Sequence, residues 1–176
     1  MKPVPPLTGR KVAVQPYAAA DVTADHVGWL NDPEVVKFSN QRFRRHDLAS
    51  CQAYFDSFAG SDNSFLSIRR LSDDKAVGTL TVYRNGHHGT ADVGIMVGDP
   101  SARGQGIGQD AWSLVIDWLI DGEKTRKVTA GTLACNIGML RLMQRSGMVE
   151  EAVRREQELV DGVAQDIIYY ARFGTR

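Results

Sequence analysis

The stretch DPSARGQGIGQDAW, Asp99 to Trp112, decides how the rest of the chain is read. Three glycines, Gly104, Gly106 and Gly108, fall within five residues, directly before a long apolar-rich segment. Behind them Ala111, Leu114, Val115, Trp118 and Leu119 recur at helical spacing, and Gly122 supplies a stop. A helix start this bare exposes backbone N–H groups at the positive end of the helix dipole, which makes an anion site. Glycines let a phosphate approach the backbone closely, and Arg103 adds a fixed positive charge. A tight structural turn is the plainer alternative. GIGQDA, Gly106 to Ala111, also satisfies the dinucleotide pattern G-x-G-x-x-A, but its context fails. GDPSAR separates the glycines from the strand before them, and no acidic residue closes the next strand at the required distance. A P-loop fails because no Gly-Lys-Ser/Thr follows.

Working outward, TADVGIMV before the loop and RKVTAGTLA after the helix read as strands. A strand–helix–strand unit of this size implies parallel neighbours and a right-handed crossover. Upstream, Arg10 to Tyr17 is a short strand, and Asp21 or Thr23 caps a helix to about Leu30 that NDP ends. EVVKFSNQRFRRH is irregular, and Asp47 caps LASCQAYFDSFA. NSFLSIRRL and AVGTLTVYR form a hairpin through SDDK, and NGHHG leads to the strand before the glycines. Downstream, Asn136 opens a helix stopped by Gly147, and two last strands meet at Asp161-Gly162. The order β-α-α-β-β-β-α-β-α-β-β gives the fold class: a mixed α/β, mostly antiparallel sheet with a central splayed parallel β-α-β unit. One domain spans residues 1–176, with its core at about 10–173.

Bulk properties narrow the function. The chain has 176 residues, enough for one domain with a single core. Basic and acidic residues balance at 21 each, so the basic excess of a nucleic-acid binder is absent. Cys51 and Cys135 stand far apart, in no metal or disulfide pattern, which fits a reducing compartment. With no secretory leader and no apolar run of spanning length, the expectation is a cytoplasmic protein without metal, membrane or nucleic-acid partner. The only basic cluster is Arg42, Arg44, Arg45 and His46, either a solvated loop or a contact for an acidic ligand or partner.

Arg103-Gly104-Gln105-Gly106-Ile107-Gly108 resembles the Arg/Gln-x-x-Gly-x-Gly/Ala signature of the GNAT superfamily of acyl-CoA-dependent N-acetyltransferases. The preceding strand, the following strand, Asn136 and RSGM at the end of its helix agree with that family. WLNDPEVVKF and the closing VRREQELVDGVAQDIIYYARF resemble its branch of ribosomal-protein N-terminal and amino-sugar acetyltransferases. The resemblance implies acetyl-CoA as co-substrate, lying between strands that splay beside Ile95, Met96 and Val97. Its pyrophosphate would sit on Gln105 to Gly108, with Asn136 reaching the arm from the opposite side and an N–H near Val97 serving the oxyanion.

The acid and base are less marked. Where many relatives carry a tyrosine and a serine, this chain has Met143 and Met139, which leaves Tyr169 and Tyr170 as alternative acids. Asp92 stands where some relatives place a glutamate base, and acts through water or merely faces solvent. His87 and His88 sit in a turn, and His26 and His46 read as ordinary helix and loop residues. Trp29, Phe38 and Phe43, with the terminal hairpin, would line a pocket for a small-molecule or peptide amine. An edge strand or that hairpin could support a homodimer. A non-catalytic acyl-CoA sensor is the competing class.

Overall fold

The computed structural model describes residues 1–174, so residues 175–176 of the expected domain lie outside the described residues. Eight strands form one sheet: β1 (Leu7–Thr8), β2 (Val12–Pro16), β3 (Ser64–Arg70), β4 (Ala76–Asn85), β5 (Thr90–Val97), β6 (Lys127–Leu133), β7 (Val149–Val160) and β8 (Val163–Phe173). Their order is β1-β2-β3-β4-β5-β6-β8-β7. All neighbours are antiparallel except β5 and β6, the expected strand–helix–strand unit. β1 is the one strand the sequence pattern missed, because a two-residue bridge shows no alternation.

Two sets of helices cover the two faces. Before β3 come α1 (Ala24–Asn31), α2 (Pro33–Val36) and α3 (Leu48–Asp56). Thr23 caps α1 by accepting from His26 N at 3.3 Å, and Asp47 caps α3 by accepting from Ser50 N at 2.7 Å. The segment expected to be irregular holds α2, capped by Asp32, and a 3₁₀ turn Asn40–Phe43, capped by Ser39. These turns are too short to show a period and are set by their caps. On the other face lie α4 (Ile107–Asp117), prolonged by a π-helical turn Trp118–Gly122, and α5 (Ile137–Arg145).

The main core belongs to α4. Ile107, Ala111, Trp112, Val115, Ile116 and Leu119 pack on Val12, Val14, Leu66, Ile68, Leu80 and Val93. The opposite face carries a smaller cluster of Tyr17, Phe58 and Phe65. There α1 is pinned by close approach: a Cβ on Gly98, just past β5, would lie 2.2 Å from the Trp29 ring. The indole therefore lies directly against the backbone. Trp29 is buried, 9% exposed, and packs over the end of β5, where it borders a separate cavity shared with Tyr17, Asp21 and Lys75.

Candidate active site

β5 is shared between two different edges. It pairs with β4 along its whole length, from Asn85↔Thr90 to Gly78↔Val97. With β6 it pairs only through Thr90↔Lys127, Ala91↔Val128 and Asp92↔Thr129. Beyond Asp92 the two strands part, and the edge of Ile95, Met96 and Val97 has no strand partner. Unpaired backbone groups in such a cleft carry a desolvation cost unless a ligand or water satisfies them. The glycine loop lies at the open end of this cleft: a Cβ on Gly108 would stand 3.3 Å from a Val97 methyl and 3.7 Å from Leu142 of α5.

Gly106 caps α4 in the left-handed region at φ 77°, with no side-chain hydrogen bond to the first turn. The first-turn N–H groups are thus left for something else. Ile107 anchors the loop from below, 2% exposed in the core. The loop is braced from β2: Lys11 Nζ donates to the Gln105 carbonyl, and Asp110 accepts from Lys11 N at 2.7 Å and Val12 N at 3.2 Å. On its other side Asp99 accepts from Ser101 N at 2.8 Å and pairs with Lys75 at 2.8 Å. Burial alone would raise the Asp99 carboxyl; Lys75 and Ser101 more than offset it and hold it at about 2. Arg103 pairs with Asp32 at 3.4 Å, tying the loop to the start of α2. Asn136 has its amide engaged locally: it accepts from Met139 N at 3.3 Å as the cap of α5 and donates to Thr132 Oγ1 at 3.0 Å.

The other side-chain candidates are sorted by the pleat. Asp92, Gly94 and Met96 point to the face beneath α1 and α3, and Thr129 Oγ1 donates to Asp92 at 2.7 Å. Displaced hydration pushes the Asp92 carboxyl above its ordinary range, against the pull of that hydrogen bond. Tyr169 lies on the same face, its ring so close over Gly131 that a Cβ there would meet it at 2.7 Å. Tyr170 lies on the opposite face, buried, and accepts from Gln144 of α5 at 3.0 Å. Met143 is fully buried in the core. His87 and His88 lie exposed at the β4–β5 turn, at the end of β5 away from the cleft.

A cavity of about 380 Å³ opens between this face and α1, α3 and the loop between them. Gly94, Ile95 and Met96 form part of its wall, so it reaches the open edge of β5 from the side opposite α4. Trp29, Phe38 and Phe43 are not in its lining. Phe43, 73% exposed with the Arg42 guanidinium 4.3 Å over its ring, lines a second cavity instead. The terminal hairpin borders that second cavity too, through Val160 and Asp161.

The two histidines set aside as ordinary both line the first cavity. Tyr17 Oη lies 2.6 Å from the Asp21 carbonyl, which can only accept, and 2.7 Å from His26 Nδ1. The single hydroxyl proton therefore goes to Asp21, and His26 Nδ1–H donates to Tyr17. Burial lowers the His26 pKa to about 4, so the ring is neutral. The available signal was the i, i+3 spacing of His26 and Trp29 on one short helix, which placed both inside. Among the described residues no group of three or more metal-ligating side chains is assembled, and no helix is long and apolar enough to cross a membrane.

Comparison with known proteins agrees with this geometry. The family model described as acetyltransferase (GNAT) domain matches residues 11–149. The Bacillus subtilis protein called "Probable N-acetyltransferase YjcK" is 30% identical over 115 residues, which are 64% of this chain and 63% of that protein. The match thus spans less than two thirds of that relative's length. Among solved structures, Mycobacterium smegmatis RimJ in complex with CoA-disulfide superposes with a TM-score of 0.80 at 19% identity, over 98% of this chain and 90% of its own. Spermidine N-acetyltransferase from Vibrio cholerae, in complex with CoA and spermine, gives 0.80 at 14% identity, over 92% and 95%. These likenesses establish a common fold.

Proposed function

The chain belongs to the GNAT acetyltransferase family, and we propose that it moves the acetyl group of acetyl-CoA onto a primary amine, that of a protein N-terminus or an amino sugar. The carrying observation is the early end of the β5–β6 pairing, flanked by an uncapped, glycine-lined helix start and by a cavity. That arrangement suits two substrates meeting at one strand edge from opposite sides.

On this reading the pantetheine arm lies along Ile95, Met96 and Val97 and satisfies their unpaired backbone groups. The pyrophosphate sits on the loop from Arg103 to Gly108, where first-turn N–H groups and the helix dipole favour an anion. Asn136 positions the opposite wall of the cleft by capping α5. The amine enters from the cavity, and its nitrogen attacks the thioester carbonyl. A backbone N–H near Val97 stabilises the tetrahedral oxyanion. The carbon–sulfur bond then breaks, the thiolate takes a proton, and the ammonium proton leaves to a base. Asp92, acting through water, is our candidate base. Tyr169, on the same face, is our candidate acid in place of the tyrosine that Met143 replaces.

The test is a mass-spectrometric screen of amines with acetyl-CoA, covering N-terminal peptides, amino sugars and polyamines. An acetylated amine formed in proportion to enzyme is the expected result. The buried Met143 favours one other reading, a non-catalytic acyl-CoA sensor. Tight coenzyme binding with no turnover across the panel would select it.

A further inference from the structure

The cavity beneath α1 and α3 has an unusual charge balance for a site that must receive an amine. Arg44 and Arg45 stand in its wall, and its lining holds no aspartate or glutamate. Among the described residues neither arginine joins an ion pair. The neighbouring Arg42 is engaged elsewhere: its guanidinium pairs with Glu158 at 3.5 Å and donates to the Leu159 carbonyl at 3.1 Å. That contact fixes the loop against β7 and leaves the next two guanidiniums to the cavity. On the same loop His46 Nε2 and Gln41 Oε1, both on residues lining the cavity, are shut off from water with no hydrogen-bond partner, as is the Nη1 of Arg42. Buried orphan atoms of this kind are costly unless a ligand completes them.

A polyamine finds nothing here to hold its ammonium groups. Moving such cations from water into a pocket with two fixed positive charges is repulsive at every step. An acceptor that brings its own anion reverses the balance, since guanidinium pairs with phosphate and carboxylate in a fork. The same positive field disfavours the ammonium form of the amine, which helps deliver the neutral nucleophile that acyl transfer needs.

We infer that the acceptor is a small primary amine carrying a phosphate or carboxylate, its anion held by Arg44 and Arg45 and its amine directed to Gly94–Met96. This rests on the transferase reading above. A cavity of about 380 Å³ suits a small molecule. Arg44 and Arg45 are also the wall shared with the second cavity, which holds Glu34, Lys37 and Asp161. A longer tail on the same acceptor would extend there.

The test is a set of matched amines assayed with the full chain by coenzyme A release. Glucosamine is set against glucosamine 6-phosphate, and β-alaninamide against β-alanine; spermidine and an acidic N-terminal peptide complete the panel. The expected kcat/KM favours at least one anionic member over its uncharged match by about tenfold or more, and which pair shows it tells phosphate from carboxylate. The exposed pair Arg44→Gln/Arg45→Gln should bring the ratio near one without changing the KM for acetyl-CoA. Lys37→Gln, which borders only the second cavity, should leave the ratio intact. Preference for spermidine or for the uncharged amines overturns the inference, as does a ratio that survives the double substitution or is lost in Lys37→Gln. So does a peptide that outruns every small amine. If acetyl-CoA itself fails to bind by calorimetry, the transferase reading fails. If it binds but no anionic amine is bound or acetylated, this inference alone falls.

Discussion

Gly106→Ala separates the proposed cradle from ordinary loop geometry. Gly106 sits at φ 77°, where a side chain is strained whatever the space around it, and its new Cβ would also meet Lys11 Nζ at 3.4 Å. Holding alanine there costs about 1–2 kcal/mol, which for a chain of this length lowers Tm by about 2–8 °C and leaves the protein folded. Gly60→Ala is the matched control: φ is 69°, nothing lies within 4 Å of its Cβ, and it follows α3 at a distance from the glycine loop. Both variants should therefore lose similar stability. Only Gly106→Ala should lose coenzyme, because its methyl group pushes the diphosphate off the first-turn N–H groups. Forfeiting one charge-assisted hydrogen bond costs about 1.5–3 kcal/mol, a fall of roughly 10- to 150-fold in affinity. Calorimetry with acetyl-CoA reads the affinity and thermal melts read the stability. A Gly106→Ala protein that melts like Gly60→Ala yet binds acetyl-CoA as the wild type does would refute the cradle.

Three further outcomes follow from the electrostatics. His26 is held neutral with its pKa near 4 by burial; the unfolded chain protonates first, so stability is complete above pH 6.5 and falls by about 3 kcal/mol as pH drops toward 4. His26→Gln should flatten that part of the urea-midpoint profile, and an unchanged slope would remove His26 as its source. Asp99 shifts the same way in a lower window: its depressed pKa of about 2 contributes at most about 2 kcal/mol above pH 3.8, reduced by solvent screening, and this disappears as pH falls through 2. Asp99→Asn should lower Tm at pH 7 and converge with wild type in strong acid. Asp92 has a raised pKa, so its charged form disfavours the fold; Asp92→Asn should melt slightly higher at neutral pH while kcat falls about 10²- to 10⁴-fold. An intact kcat would take Asp92 out of the chemistry.

Much of the fold was legible because its punctuation is local. Thr23 and Asp47 cap their helices from within one turn, and Asp161-Gly162 closes the last hairpin with φ of 50° and 79°, as the dipeptide implies. The parallel pair was legible from the length of the segment between its strands. The extent of the splay was not, since it depends on where β6 leaves β5, and neither strand encodes that alone. The cavity proposed for the acceptor was least legible. Its wall draws on α1, the 3₁₀ turn, α3 and three strands, so no window of sequence contains it. Phe43 shows the cost of reading composition without direction: the capped turn Asn40–Phe43 sets it in the second cavity beside Val160 and Asp161, and polar Gln41 faces the first.

The two faces of the sheet differ in what holds them, and that difference bears on specificity. The donor side is welded to the main core: Ile107, one residue from the glycine loop's cap, is already 2% exposed, and α4 continues that packing for its whole length. A change there is felt by a close-packed interior. The proposed acceptor side rests on short helices fixed by caps, on the Tyr17, Phe58 and Phe65 cluster, and on the close contact of Trp29 with Gly98. Residues 39–46 between α2 and α3 need no core partner to stay in place; Asn31 holds His46 through both of its amide atoms, and Arg42 ties the loop to β7. Side chains on that loop can therefore be exchanged at little expense to the fold. The proposed donor cleft would constrain stability and chemistry together, whereas on our inference Arg44 and Arg45 are free to be set by the acceptor. That is the physical basis for expecting charge substitutions at those two positions to change which amine is used while leaving Tm and acetyl-CoA affinity where they were.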